Sequence, residues 1–233
     1  MSEQARVQTT HTRETEAYAP TERTTFKRLA YRGTYDRNVV HAILDEGFIC
    51  HVAFALNGKP FLIPTAYARQ GDRLVLHGSS SNHMLRALIA GAEACITVTL
   101  VDGLVIARSA FHHSINYRAV VLFAKAVEVT DLDEKMQALH DIVEHIAPGR
   151  WSQSRVPNRD EATMTKIVAL PIDEVSAKVR TGPPLDDEPD YAGDCWAGVL
   201  PLATTIGAPQ PCPRLTDGIA VPANVSGYRR PGW

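Results

Sequence analysis

Apolar and polar positions along the chain fall into short blocks whose period changes repeatedly. Val39, Val40, Ile43 and Leu44 make one stripe at helical spacing, with Asp36 able to cap it and Gly47 to stop it, so a helix is predicted over about 36–46. Phe48 to Leu56 is almost continuously apolar, which predicts a strand buried on both faces with His51 as a core histidine. Asn57-Gly58 is a favoured two-residue reversal into a strand over Pro60 to Ala68, and Gln70-Gly71-Asp72 turns the chain into Arg73 to His77. A serine-rich stretch, Gly78 to Asn82, then opens a second helix whose stripe is Met84, Leu85, Leu88 and Ile89.

Ala94 to Val101 and Leu104 to Ala110 flank Asp102-Gly103, predicting another hairpin, and Ala119 to Val129 predicts a further strand. Asp131 and Glu134 look like a capping pair for a helix running to Pro148-Gly149, and Thr165 to Pro171 reads as a last strand. Short strands, tight turns and singly inserted helices without βαβ alternation predict a mainly β fold, an antiparallel barrel with inserted helices. Residues 1–24 read as a flexible tail, 25–180 as the barrel, and 181–233 as a Pro/Gly-rich extension that wraps the barrel or a partner subunit.

Composition narrows the function. With 24 Lys and Arg against 26 Asp and Glu over 233 residues, the chain lacks the basic excess of a nucleic-acid grip. No apolar run reaches the length of a membrane span, and residues 1–23 carry neither a secretory apolar stretch nor an acid-poor transit composition, so a cytoplasmic protein is expected. Four scattered cysteines fit a reducing compartment, with Cys50 and Cys95 as small core hydrophobes.

Three segments carry candidate chemistry. His77-Gly78-Ser79-Ser80-Ser81-Asn82-His83 offers hydroxyls and unpaired N–H groups to a small anion; the same residues serve equally as a helix cap with turn filler. His112-His113-Ser114-Ile115-Asn116-Tyr117-Arg118 gathers two imidazoles and a guanidinium between strands, as a site or as a solvated loop. A metal is disfavoured there, because adjacent histidines project apart, and His140 and His145 are five apart on their helix rather than four. Pro64 and Thr65 place an edge or bulge in their strand, whose free backbone groups could meet a flat heterocycle. Lys178 and Arg180 are open to an anionic substrate or to plain solvation.

Taken together, YRGTYDRNVVHAIL, NGKPFLIPTAY, LHGSSSNHMLRAL, ARSAFHHSINYRAVVLFA, PGRW followed by SAKVRTGPP, and CWAGVLPL resemble the pyridoxamine 5′-phosphate oxidase-related, flavin-nucleotide-binding proteins, which include nitroimidazole-resistance reductases. The resemblance runs from about Phe26 to Trp196. It implies a split β-barrel of FMN-binding type that forms a homodimer, with FMN at the subunit interface. His77, Gly78, Ser79, Ser80, Ser81 and His83 would surround the FMN phosphate with Arg118 as charged partner. Pro64, Thr65, Ala66 and Tyr67 would line the isoalloxazine, and Ser114, Asn116 and Tyr117 would close the pocket. The B6-binding signature of the true oxidases is not evident. The implied activity is an FMN-dependent oxidoreductase passing reducing equivalents from NAD(P)H or another donor to a small-molecule electron acceptor. No side chain need act as acid or base, because the flavin carries the redox chemistry. The alternative is a non-catalytic sensing module holding FMN or haem, with His51, His77, His112 and His113 as axial candidates. Trp196 and the segment after it are expected to pack across the dimer.

Overall fold

A computed structural model describes residues 17–230. In chain order the elements are β1 (Gly33–Thr34), α1 (Arg37–Glu46), β2 (Ile49–Leu56), β3 (Lys59–Ala66), β4 (Ala68–Gln70), β5 (Arg73–Ser79) and α2 (His83–Ile89). They continue with β6 (Glu93–Ile106), β7 (Ser114–Lys125), β8 (Val127–Glu128), α3 (Leu132–Ile146), α4 (Arg159–Met164), β9 (Thr165–Pro171), β10 (Glu174–Arg180), β11 (Gly198–Pro201) and α5 (Ala223–Ser226). The strands form a seven-stranded sheet, ordered β1-β10-β7-β6-β2-β3 with β11 beside β6, and a four-stranded sheet ordered β4-β5-β9-β8. Every pair is antiparallel, so the fold is mainly antiparallel β with inserted helices. No described helix is long and apolar enough to cross a membrane.

The main core lies between the sheets and under α1 and α2. Val52, Ile96, Val98, Val120, Leu122 and Val175 fill it from the large sheet, and Leu74, Leu76, Val168 and Leu170 from the small one. A second cluster, including Val75, Ile167 and Ala169, packs the other face of the small sheet against Ala138 and Ile142 of α3.

Several local expectations hold. The Asp36 carboxylate accepts from the Asn38 and Val39 amides at 2.7 and 3.2 Å, capping α1. Asn57 and Gly58 both take positive φ, 52° and 73°, as a tight hairpin turn between β2 and β3 requires. Gly47 stops α1 for a different reason from a left-handed cap. Its φ is −71°, and a Cβ there would lie 2.5 Å from Val98 Cγ1 and 2.8 Å from the Tyr67 hydroxyl, so glycine is demanded by close packing.

Other expectations are corrected. Asp102-Gly103 is not a turn: β6 runs straight through it, pairing with β7 on both sides, and the ladder skips Asp102 as a bulge. The stretch read as a loop over 112–118 is therefore largely strand, since β7 begins at Ser114. β10 was not predicted, yet it pairs with β7 over its full length. Residues 17–24, assigned to the tail, are fastened to the body. Tyr18 is buried, its hydroxyl meets His41 and Asp72, and Arg23 bridges Glu93 and Glu174. The rest of the predicted tail, residues 1–16, lies outside the described residues. Within the C-terminal extension, β11 adds a regular strand to β6. Buried Arg230 donates to the carbonyls of Glu46, Gly47 and His145 and lies over the Phe48 ring at 3.8 Å.

Candidate functional site

Residues paired across antiparallel strands share a sheet face. The register therefore assigns one continuous row, Pro64, His51, Thr97, Val121 and Ser176, to the face of the large sheet opposite the core. Parallel rows add Leu62, Ala53, Cys95 and Phe123 on one side, and Thr99, Ala119 and Lys178 on the other. β2 does not bury both faces. Its exposed positions are Ile49, His51 and Ala55, so His51 is a surface residue and not a core histidine. Leu62 is 62% exposed and Val101 49%. The result is a broad face of small and apolar side chains open to solvent, the pattern of a surface that takes a ligand or partner.

The serine segment stands at the tip of the small sheet. Gly78 and Ser79 still belong to β5, paired with Lys166 and Thr165, and the chain then turns into α2. Asn82, not Ser81, caps that helix, accepting from the Leu85 amide at 3.0 Å. A Cβ at Gly78 would lie 2.9 Å from Asn82 Nδ2, so glycine lets the cap fold back. With capping assigned to Asn82, the Ser79, Ser80 and Ser81 hydroxyls are exposed. Ser79 and Ser81 lie 3.0 Å apart, close enough to address one anion together. His83 is exposed beside Phe61, at 5.4 Å between rings, and Phe61 stacks on Phe54. His77 is half-buried. Its Nδ1 has no partner among the described residues, and burial pulls its pKa below the usual value, keeping the ring neutral.

β3 is an edge strand, pairing only with β2 among the described residues, which is where Pro60 and Pro64 can be tolerated. Pro64 is exposed, and Thr65 and Ala66 are half-buried along that edge. Tyr67 is not on it. Its ring is wholly buried and its hydroxyl donates to the Leu44 carbonyl at 2.6 Å, so it ties β3 to α1 instead of lining a pocket.

Arg118 also departs from expectation. It lies on β7 in the large sheet, whereas the serine segment ends β5 in the small one. Its guanidinium is held by Glu46 through both terminal nitrogens and by Asp102 at 2.7 and 3.0 Å, which raises its pKa further and leaves its charge matched twice over. These groups line a cavity of about 340 Å³ with Thr99 and Val101, beside the start of the C-terminal segment at Leu202. Ser114 is half-buried at the start of β7, and Tyr117 is half-buried in register with Arg180. Asn116 is buried and braces the chain after β10, donating to the Gly182 carbonyl at 3.1 Å and accepting from Arg180.

The structure thus brings His77, Gly78, Ser79, Ser80, Ser81 and His83 together, and sets Pro64, Thr65 and Ala66 along one edge. It places Ser114, Asn116, Tyr117 and Arg118 toward another end of the large sheet. Sequence reading passed over Arg86, which follows His83 by three residues on the exposed side of α2 and makes no ion pair among the described residues. The i, i+3 spacing was its signal. The cysteines match expectation in part: Cys50 is buried, its thiol pushed up to about 12 by burial, while Cys95, expected in the core, is half-buried on the outer face of the large sheet.

The flavocytochrome Anf3 from Azotobacter vinelandii is similar to this chain at 41% identity and TM-score 0.86, over 91% of this chain and 99% of that one. A protein from Mycobacterium smegmatis described as binding FAD and haem is similar at 36% identity and TM-score 0.82, over 85% of this chain and 98% of its own. A Bacteroides thetaiotaomicron protein assigned to 5-nitroimidazole antibiotic resistance shares the fold, at 22% identity and TM-score 0.53, over 63% of this chain and 86% of its own. No curated protein matches the chain. The family model for pyridoxamine 5′-phosphate oxidase matches residues 36–179, spanning α1 through β10. By that match, and by the antiparallel architecture that carries it, the chain belongs to the pyridoxamine 5′-phosphate oxidase family.

Proposed function

We propose that this chain is a flavin-binding redox protein that works as a homodimer and carries haem as a second cofactor. The observation that carries the reading is the open apolar face of β2, β3, β6 and β7, together with an exposed serine segment whose hydroxyls are not occupied by helix capping. Ser79, Ser80 and Ser81 would hold the 5′-phosphate that FMN and FAD have in common. Arg86 would replace Arg118 as the charged partner, since Arg118 is already neutralised within the chain. Backbone groups of Pro64, Thr65 and Ala66 at the free edge of β3 would meet the polar rim of the ring. A bound flavin supplies reversible one- and two-electron chemistry; the protein's contribution is to orient the ring, exclude water and set its potential.

Support for haem comes from the two relatives that match nearly whole chain against whole chain, a flavocytochrome and a protein described as binding FAD and haem. His51 fits that role here: it is exposed at the centre of the apolar face, with Ile49, Ala53, Pro64 and Thr97 around it. The second copy would cover this face. Residues 200–221 are exposed throughout and present Leu202, Ile206, Leu215, Ile219 and Val221, while both flanks are anchored by β11 and by Arg230. A segment held at both ends yet touching little of its own body suits a clasp around a partner. NAD(P)H as donor and a small molecule as acceptor complete the proposed reaction.

Reconstitution tests the reading. Apo-protein is titrated with FMN, FAD and haemin while the visible spectrum is recorded, and released flavin is identified by chromatography. One flavin per chain and a Soret band lost in His51→Ala are expected. A protein that stays colourless with every flavin refutes the flavin reading, and an unchanged Soret band in His51→Ala refutes the haem ligand.

A further inference from the structure

Arg180 ends β10, and only 6% of it is exposed. Its terminal nitrogens donate to neutral acceptors alone: the Asn116 side chain, and the Gly182 and Pro183 carbonyls, each at 3.3 Å. Its Nε is buried with no partner among the described residues. Arg32, from the short helical turn before β1, also has a buried Nε without a partner, and its guanidinium lies 5.4 Å from the Tyr31 ring centre. Both arginines line one cavity of about 210 Å³ with Tyr31, Thr181 and Pro183.

Neither arginine forms an ion pair among the described residues. The acidic groups nearest in sequence are already engaged: Asp186 accepts from the Arg108 and Ser109 amides and from the Arg108 guanidinium, and Asp187 faces His112. Burial and the neighbouring Arg32 both depress the Arg180 pKa, and the two like charges share a partly dry site with no carboxylate paired to either among the described residues. A buried guanidinium without a counter-charge is costly to maintain unless something supplies one.

We infer that the Arg32–Arg180 cavity is a binding site for the oxyanion group, phosphate or carboxylate, of a small-molecule reactant. Two guanidinium groups converging from a helical turn and a strand end, with Nε–H donors still free, match the several acceptor oxygens of such a group. Thr181 and the Tyr31 hydroxyl add neutral donors at the rim. Tyr117 pairs with Arg180 on one side and with Val101 of the apolar face on the other, so a reactant held here by its charged end would extend toward that face. The site is distinct from the serine segment, and its existence does not depend on which cofactor the chain holds.

Calorimetric titration of the flavin-loaded protein with inorganic phosphate and with acetate, at low ionic strength, tests the inference. One site per chain is expected, at least tenfold weaker in Arg32→Gln and in Arg180→Lys, and unchanged in Lys125→Gln, at an exposed position outside both sites. Tighter binding of phosphate identifies a phosphorylated reactant, and tighter binding of acetate a carboxylic acid. Arg32 is half-buried at the rim, so Arg32→Gln remains informative should the Arg180 variant fail to fold; its flavin absorbance should equal that of the unmodified protein. Heat signals identical in Arg32→Gln and the unmodified protein, or absent for both anions, overturn the inference. A protein that takes up no flavin yet still binds the anion, with that binding weakened in Arg32→Gln, would instead count against the serine-segment reading alone.

Discussion

The two faces of the large sheet are built by the same strands and differ by one residue in register. On the inner face Val52, Ile96, Val98, Val120 and Leu122 are at most 1% exposed, while on the outer face Ile49 and Leu62 are 46% and 62% exposed. The inner residues are large and branched and interlock. The outer ones mix small residues such as Ala53, Thr97, Thr99 and Ala119 with the exposed Ile49 and Leu62 around His51. One face completes the fold within the chain; the other is shaped for something the chain itself does not provide.

The sharpest way to break this comparison is to place a charge on each face. Thr97→Arg on the outer row should weaken self-association and cofactor binding by more than about a hundredfold while leaving the thermal transition of the cofactor-free single chain nearly unmoved, because a long cation there meets solvent in the isolated chain. Light scattering and the visible spectrum check it, and a coloured Thr97→Arg dimer would dismantle the assignment of that face. The inner face predicts the reverse. Leu122→Ala should cost about 2–5 kcal/mol in urea denaturation, by lost burial and a residual cavity, yet retain association.

A smaller effect is expected where the faces meet the ion cluster. Arg118→Gln removes the partner of Glu46, whose side chain is 8% exposed. Breaking such a pair costs several kcal/mol when fully buried; with Arg118 about a quarter exposed, roughly 2 kcal/mol is expected by chemical denaturation. Flavin affinity should be little changed, since Arg118 is not the phosphate partner in this account. Replacing Ser79 and Ser81 together by Ala should weaken flavin binding by about thirtyfold, from about 1 kcal/mol per lost hydrogen bond, with stability unaffected. Fluorescence titration of flavin measures it.

The smallest effect is a pH dependence. Burial lowers the pKa of His77, and burial with the Arg230 charge lowers that of His145. Their folded values lie below the unfolded value near 6.5, so the unfolded chain takes up protons first. Stability from these groups is complete above that pH and declines below it. The urea midpoint should therefore fall between roughly pH 6.5 and 5.5, and His77→Gln should flatten part of that fall.

Much of this was legible in the sequence, and the failures share one cause. The strand and helix blocks, the Asn57-Gly58 hairpin and the Asp36 cap depend on neighbours a few residues away, and local pattern was enough to find them. Asp102-Gly103 carries an equally strong local turn signal, yet pairing with β7 on both sides overrides it, and the bulged Asp102 reaches Arg118 instead. Arg118 looked like a free cation because Glu46 is 72 residues away in sequence. Tyr67 looked like pocket lining because nothing nearby reveals that α1 covers it. β10 is polar at alternate positions and was hidden by its short distance from β9. His51 was the informative misreading: a lone polar residue among small apolar ones marks a strand whose second face is left bare.

Size-exclusion chromatography with simultaneous light scattering and visible absorbance, on full-length protein reconstituted with flavin, tests the central claim most directly. The account predicts flavin absorbance eluting with a mass of two copies, about 51 kDa from 25.5 kDa each. A single-copy mass carrying full flavin absorbance, or a dimer that elutes without it, would contradict it.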